Sequence, residues 1–219
     1  MTMILQAASA AAQGTKNIGF GELIMAGGWL MIPLAVLFGV SIFIFTERFL
    51  ALRKASEIDP DFMHQIKALI DAGDPVRAVK LCRSINNPLA RMIDKGIVRM
   101  NRSSEEVHRA IENVANLEVS KLENGLPFLA TISGGAPMIG FLGTVIGMVE
   151  AFMNLSQAGG SVDMSLLSSG MYTAMITTVA GLIVGIPAYF GYNYLVARIE
   201  RLIFEMESNT VAFLDIIKR

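Results

Sequence analysis

The side chains of this chain best suited to guiding a proton or an ion are threonines that lie inside long apolar segments. Thr144 lies in one such segment, and Thr177 and Thr178 lie together in another. A hydroxyl donates and accepts hydrogen bonds but does not titrate at accessible pH. These residues indicate the polar lining of a channel or cavity, although hydroxyls bonded to their own helix at i−4 would fit the same pattern.

Small or hydroxylated residues recur three or four positions apart around these threonines, which places them on one face of each predicted helix. The two series are Pro137, Gly140, Thr144, Gly147 and Ala151 in one segment, and Gly170, Ala174, Thr177, Gly181, Gly185 and Ala188 in the other. Gly143/Gly147 and Gly181/Gly185 are small-xxx-small pairs, which in lipid indicate close helix packing. A packing role and a lining role are compatible, and periodicity does not separate them.

Neither apolar segment carries an ionisable side chain near its middle. No charged residue lies between Glu123 and Glu150 or between Asp163 and Arg198. Proton relays in membranes are built on Asp, Glu or His, so a proton carrier for this chain must come from another protein. Glu150 is the candidate outer entrance of a path, although a carboxylate at a helix end is more often simply solvated.

Composition and charge distribution identify the elements that hold these residues. Hydrophobic residues make up 53% of the 219-residue chain and charged residues 17%, against about 45–50% and about 25% in soluble domains. A further charge-free gap lies between Glu22 and Glu47. Each gap exceeds the roughly 20 residues that a helix needs to cross a bilayer. The sequence predicts an all-α membrane protein with three transmembrane helices, extended by long helices into a cytoplasmic helical domain.

The distribution of cations predicts the orientation of these spans. Apart from Lys16, every Lys and Arg lies at 48–121 or after residue 197, and short basic flanks stay in the cytoplasm. The expected order is a periplasmic tail or interfacial helix at 1–22, TM1 at 23–46, a cytoplasmic helical domain at 47–124, TM2 at 125–153, a periplasmic loop at 154–164, TM3 at 165–197 and a cytoplasmic C-terminal helix at 198–219.

Helix-start signals punctuate the cytoplasmic segment. They are Asp59-Pro60, Asp74-Pro75, Asn87-Pro88 and the capping box that joins Ser103 to Glu106. An Asx or Ser oxygen caps free backbone N–H groups, and proline suits the first helical position. No strong stop signal precedes the second span, so the helix that begins after Ser103 is expected to continue into it.

Several classes of function lack support in the sequence. The net charge of −1 gives no basic footprint for nucleic acid. Cys82 is alone, and His64 and His108 have no neighbouring Cys, His or Asp cluster, so no metal site is expected. Nucleotide-binding and hydrolase motifs are absent from the sequence. We therefore expect no catalytic residue, no enzymatic activity and no cofactor, and an ion gradient as the energy source.

Two runs resemble the MotA/TolQ/ExbB proton-channel family, and its ExbB branch fits best. They are APMIGFLGTVIGM at 136–148 and AMITTVAGLIVGIPA at 174–188. The resemblance implies a pentamer of this subunit in the lipid bilayer of a bacterial inner membrane, around a dimer of single-span ExbD-type partners. A transmembrane aspartate of the partner would supply the missing carboxylate. Proton flux would then energise a TonB-like protein that acts on outer-membrane transporters.

The resemblance also assigns roles to individual residues. Thr144 and Thr178 match the positions that face the partner aspartate, and the packing or kink positions of the family correspond to Pro137, Gly143, Gly181 and Pro187. Thr173 occupies a position where ExbB members commonly have a glutamate, which leaves more of the proton transfer to the partner. Thr177 is an additional hydroxyl that would help to hydrate the path.

The sequence leaves alternative functions open. One is a TolQ-like subunit that energises a Tol-Pal-type envelope system. Another is a non-conducting membrane scaffold, in which the glycine faces only pack helices and the cytoplasmic domain recruits partners. A partner gene that encodes a single span with an aspartate would favour the channel over the scaffold.

Overall fold

The chain is helical over most of the residues that the structure describes. The computed structural model describes residues 27–57, 59–85, 87–157 and 164–217. The helices are α1 (Met31–Ala55), α2 (Phe62–Asp71), α3 (Pro75–Ser84), α4 (Pro88–Val98), α5 (Ser104–Glu123), α6 (Leu126–Gln157) and α7 (Met164–Ile217). The predicted tail at 1–22 and residues 158–163 of the predicted loop lie outside the described residues.

Three stretches of helix are long and apolar enough to cross a membrane. One lies in α1, one includes α6 and one lies in α7. Helix α7 runs through 54 residues without interruption, well beyond the length of one span. This arrangement confirms the predicted fold class, an all-α membrane protein with long helices.

The short helices begin largely at the predicted caps. Side-chain oxygens accept backbone N–H bonds in the pairs Asp74–Arg77 (3.1 Å), Asn87–Ala90 (2.7 Å) and Ser103–Glu106 (3.3 Å). The start predicted at Asp59 is wrong. There the Asp59 carboxylate accepts from the Asp61 N–H at 2.9 Å and forms a separate turn, so α2 begins only at Phe62.

The helix that follows Ser103 does not continue unbroken into the second span, which corrects the sequence prediction. Helix α5 ends at Glu123 and α6 begins at Leu126. Between them Gly125 has φ +85°, in the left-handed region that glycine adopts without steric cost. A glycine that looks like one more small residue in the sequence is therefore the end signal of α5.

The described residues form two compact units. The first, here called the span unit, comprises the described residues of 27–40, 132–157 and 164–187, and the second, the helical unit, comprises those of 41–57, 59–85, 87–131 and 188–217. In the helical unit α4 packs against α5 and α7 at Gly96. A Cβ added there would lie 2.5 Å from Phe213 Cε1 and 2.8 Å from Ile111 Cδ1, so the three helices meet around a position that a larger residue would overfill.

Arg48 connects the end of α1 to the end of α5 within the helical unit. Its guanidinium donates to the Lys121 carbonyl oxygen at 2.9 Å and to the Glu47 carboxylate at 2.5 Å. The Lys121 carbonyl belongs to the last turn of α5, where carbonyl groups lack helical partners and a cation is favourable. Arg48 therefore donates a hydrogen bond to a carbonyl oxygen at the C-terminus of α5, which has no helical partner because the helix ends before Gly125.

Glu118 is a buried carboxylate in α5, ahead of the apolar stretch of α6. Its side chain is 6% exposed and accepts from Arg91 at 2.5 Å and from Lys121 at 2.8 Å. Burial alone would raise the pKa of Glu118, but the hydrogen bonds and charges of Arg91 and Lys121 outweigh it and hold the pKa below its ordinary value of 4.5. The cluster joins α4 to α5.

Glu118→Gln is expected to lower the free energy of unfolding of the full chain by about 1–2 kcal/mol. The loss stays below that of a fully buried ion pair because Arg91 and Lys121 retain access to water. The carboxylate stabilises the fold above pH 4.5, its ordinary pKa, and this contribution disappears as the pH falls through the lowered pKa. Chemical unfolding in detergent at neutral and acidic pH measures both effects. Glu112→Gln, an exposed change on the same helix, is the control; equal losses in the two variants at neutral pH would refute the prediction.

Cys82 is buried in α3, with 1% of its surface exposed. Burial, followed by the charge of Asp94, raises the pKa of its thiol to about 12. A thiol with this pKa is un-ionised at neutral pH and is a poor nucleophile and metal ligand. Cys82 therefore acts as a small apolar core residue, as the sequence indicates.

Candidate functional site

Helices α6 and α7 approach each other most closely at glycines. A Cβ added at Gly140 would lie 2.7 Å from the Thr177 carbonyl oxygen and 3.1 Å from Gly181 Cα. A Cβ added at Gly181 would lie 2.6 Å from the Ala136 carbonyl oxygen. These neighbours are backbone atoms that cannot turn aside, so only glycine permits this separation of the helix axes.

The same contact face continues along both helices in antiparallel order. A Cβ added at Gly147 would lie 3.0 Å from Ala174 Cβ, and one added at Gly185 would lie 2.5 Å from Pro137 Cγ. Pro137 lies inside α6 and Pro187 inside α7. The small-residue series of the two spans therefore face each other, and Pro137 fills the space that Gly185 leaves.

A pair of hydroxyls, which we call the threonine pair, lies beside this contact. Thr144 Oγ1 on α6 and Thr178 Oγ1 on α7 are hydrogen-bonded to each other. Thr178 Oγ1 also lies 3.2 Å from the Gly140 carbonyl oxygen, and Thr144 Oγ1 lies 3.3 Å from the Ala174 carbonyl oxygen. Both threonines are half-buried, so the pair joins the two helices and keeps access to the surface of the subunit.

Thr177, next to the threonine pair in sequence, has a different environment. It is 2% exposed, and its hydroxyl donates to the Ala174 carbonyl oxygen of its own helix at 2.8 Å. Its side chain occupies the space beside Gly143, where a Cβ would meet Thr177 Cβ at 2.7 Å. Within the subunit Thr177 is therefore a packing residue of the α6–α7 contact.

The other predicted site residues lie on the same two helices. Thr173 is half-buried on α7, four positions before Thr177, and Glu150 is exposed on α6, six positions after Thr144. The structure does not bring Glu150 into the threonine pair. The two helices contain no charged residue between 126 and 149 or between 164 and 197, so hydroxyls and backbone carbonyls are the polar groups at the pair.

The hydrogen bond across the threonine pair is the feature that sequence reasoning missed. Helical spacing places Thr144 on the small-residue face of α6, and it separates Thr177 from Thr178 by about 100° around α7. It does not give the axial offset of the two helices, which decides which hydroxyl lies opposite Thr144. The order of the glycines along the two helices could have given this offset. If the helices are antiparallel and Gly140 lies opposite Gly181, Thr144 lies at the level of residues 174–178.

Fold and site together define a helical membrane protein whose two glycine-packed helices carry a pair of hydrogen-bonded hydroxyls within charge-free stretches, at 126–149 and 164–197. The sequence model of the MotA/TolQ/ExbB proton channel family matches residues 84–208. The chain belongs to this family. The family and the three apolar helices support a multi-pass inner-membrane protein, and the resemblance seen in the sequence is confirmed.

Curated relatives carry both ExbB and TolQ names. The chain is 32% identical over 188 residues, 85% of its length and 66% of the relative, to a putative biopolymer transport protein ExbB homolog of Methanothermobacter thermautotrophicus. It is 40% identical over 94 residues (43% and 41%) to the Tol-Pal system protein TolQ of Haemophilus influenzae. It is 38% identical over 91 residues (42% and 36%) to the biopolymer transport protein ExbB of Xanthomonas campestris pv. campestris. The chain thus spans less than two thirds of the length of these relatives.

Proposed function

We propose that this protein is a proton-channel subunit that works with a single-span, ExbD-like partner to convert a proton gradient into work on a TonB-like protein. The threonine pair carries the proposal. It is a polar group in the charge-free stretches 126–149 and 164–197, and proton transfer across a membrane needs a titratable group. An aspartate in the span of the partner would supply that group, and Thr144 and Thr178 would face it.

The proposed path is lined by the threonine pair, with Thr173 on the same helix as Thr178. Thr173 adds a half-buried hydroxyl in the place of the glutamate that the family resemblance leads one to expect, so it polarises the path without carrying a proton. Glu150, exposed near the end of α6, is the proposed outer entrance. Thr177 is left out of the path because its hydroxyl is committed to the α6–α7 contact.

The assembly that we propose is a homo-oligomer, a pentamer by family resemblance, around a dimer of the partner. Each subunit offers large exposed apolar side chains on both helices of the site, such as Phe141 and Met175, which are 64% and 65% exposed. Such surfaces suit lipid or neighbouring subunits. The basic flanks favour an inner-membrane orientation with the N-terminus in the periplasm and the C-terminus in the cytoplasm.

A TolQ-like role in a Tol-Pal-type system is the second candidate. It is favoured by the similarity to the TolQ protein of Haemophilus influenzae, which is 40% identical over the matched 94 residues. Both roles use the same proton chemistry and differ in the protein that receives the work. Complementation of ExbB-deficient and TolQ-deficient strains with this chain and its partner separates them by which defect is rescued.

Proton flux in liposomes tests the proposal. The full chain is purified with an ExbD-like single-span protein, and flux is followed with a pH-sensitive dye. We expect flux above background only when both proteins are present, and a return to background when the span aspartate of the partner is changed to asparagine. Flux from this chain alone would contradict the proposal. A stable complex without flux, or no complex at all, would favour the scaffold.

A further inference from the structure

We propose that the turn between α4 and α5 binds a soluble nucleoside phosphate. The turn borders a cavity of about 630 Å³ at the surface of the helical unit, within the range of roughly 300–1,000 Å³ that small-molecule sites occupy. The residues that line this cavity are Val98, Arg99, Asn101, Arg102, Glu106 and Arg109. None of them belongs to the threonine pair, so the proposal goes beyond the proposed function.

The cavity lies at the end of a strongly basic segment of the chain. Between Pro75 and Arg102 every charged residue except Asp94 is Lys or Arg. Ion pairs occupy some of these cations, namely Arg77–Asp74, Arg83–Asp94 and Arg91–Glu118. The side chains of Arg99 and Arg102 form no ion pair with any residue that the structure describes. Two uncompensated guanidinium groups therefore border the cavity.

Arg99 and Arg102 supply binding groups for phosphate. Both residues are exposed, and a guanidinium presents its N–H donors in a planar fork that matches the oxygens of a phosphate. Arg109 adds a third guanidinium, but it already donates to the Glu105 carboxylate at 2.6 Å, which balances its charge. The unpaired arginines thus favour an anion with several oxygens over a single carboxylate.

Other lining residues indicate that the ligand carries more than phosphate. The exposed carboxylate of Glu106 repels an anion but accepts hydrogen bonds from hydroxyl or amino groups, as acidic residues do from ribose in dinucleotide sites. Val98 is 61% exposed and offers apolar surface to the face of a base. A nucleoside phosphate combines an anion, hydroxyl donors and a flat apolar ring, so it matches the residues present.

The position of the turn favours a soluble ligand over a lipid headgroup. Helix α5 begins beside the cavity and continues for 20 residues to Glu123, a length of about 30 Å. Helix α6 and its charge-free stretch begin at Leu126. The cavity therefore lies several Debye lengths, each about 8 Å at physiological ionic strength, from the end of α5 that precedes the span. In the orientation proposed above, the ligand comes from the cytoplasm.

Calorimetric titration of the full chain in phosphatidylcholine nanodiscs tests the site with ADP as the probe. We expect saturable binding with a Kd no weaker than about 1 mM, the affinity that two charge-assisted hydrogen bonds would give. Adenosine should bind at least about tenfold more weakly because it lacks the phosphates. Nanodiscs that contain phosphatidylglycerol should change the affinity for ADP by less than about twofold, since the headgroups lie beyond the Debye length.

Substitutions separate the proposed contacts from general attraction of an anion. Arg99→Gln and Arg102→Gln should each lower the affinity for ADP at least about tenfold. Lys80→Gln is the matched control, because it removes the same charge from an exposed position on α3 outside the cavity; its effect should stay below about twofold. Glu106→Ala should lower the ratio of ADP to pyrophosphate affinity about tenfold, because only the nucleoside donates to the carboxylate.

Four results would overturn the proposal. The first is the absence of ADP binding at about 1 mM, and the second is an equal loss of affinity in Lys80→Gln and in the arginine variants. The third is loss of ADP binding in phosphatidylglycerol discs, which would assign the site to lipid headgroups. The fourth is an unchanged affinity ratio in Glu106→Ala, which would leave a site for phosphate alone. None of these results bears on proton flux, so the proposed function is tested separately.

Discussion

Gly140→Val is expected to separate α6 from α7 and to lower the stability of the span unit by about 3 kcal/mol, at the upper end of the cost of overpacking. The new side chain would meet the Thr177 carbonyl oxygen and the Cα atoms of Thr178 and Gly181, at 2.7, 3.1 and 3.1 Å from its Cβ. Backbone atoms cannot change rotamer, so the helices must move apart and lose the contacts on either side.

Unfolding of the purified full chain in detergent, followed by circular dichroism, measures this loss. Gly134→Val is the matched control, since it places the same side chain on the same helix at a position with no atom within 4 Å of the added Cβ. Its effect is expected to stay within about 0.5 kcal/mol, as for surface substitutions elsewhere. Equal losses of unfolding free energy in Gly140→Val and Gly134→Val would show that any valine in α6 destabilises the helix. The loss would then not be due to the close approach of α6 and α7 at Gly140.

The sequence predicts this contact face well because the face depends only on features within each helix. The charge-free stretches between Glu123 and Glu150 and between Asp163 and Arg198 mark the spans. The spacing of the glycines, such as Gly140 and Gly147, marks which side of a helix carries small residues. Both follow from the period of the helix and the apolarity of the bilayer. Neither needs knowledge of how the two helices are aligned.

The parts that the sequence did not predict depend on geometry beyond one helix or on a single dihedral angle. Thr177 and Thr178 are equivalent as residue types, yet the alignment of α7 on α6 places one against Gly143 and the other against Thr144. Gly125 ends α5 through a positive φ, a dihedral angle that the residue type permits but does not require. A threonine fits either a packing position or a paired position, and a glycine fits either a helix or a left-handed turn. The packing of the surrounding residues therefore decides between them.

Thr144→Val and Thr178→Val are each expected to reduce proton flux at least about tenfold, to the level of the complex whose partner aspartate is replaced, while assembly survives. Valine has the shape of threonine, so the α6–α7 contact keeps its volume. The change removes one oxygen from the threonine pair and about 1 kcal/mol of hydrogen bonding. Flux in liposomes and size-exclusion chromatography of the complex are measured on the same preparations.

Comparison with Gly140→Val separates the effect of losing a hydroxyl group from the effect of displacing α6 from α7. Gly140 contributes the carbonyl oxygen that lies 3.2 Å from Thr178 Oγ1, so displacing its helix disturbs the pair as well as the packing. Gly140→Val should therefore lose flux and about 3 kcal/mol of stability together, whereas the threonine variants should lose flux with only about 1 kcal/mol of stability. Thr178→Ser should restore flux because the hydroxyl returns without the methyl group. Unchanged flux in the Thr144→Val, Thr178→Val double variant would mean that these hydroxyls only join the helices and that the proton path lies elsewhere.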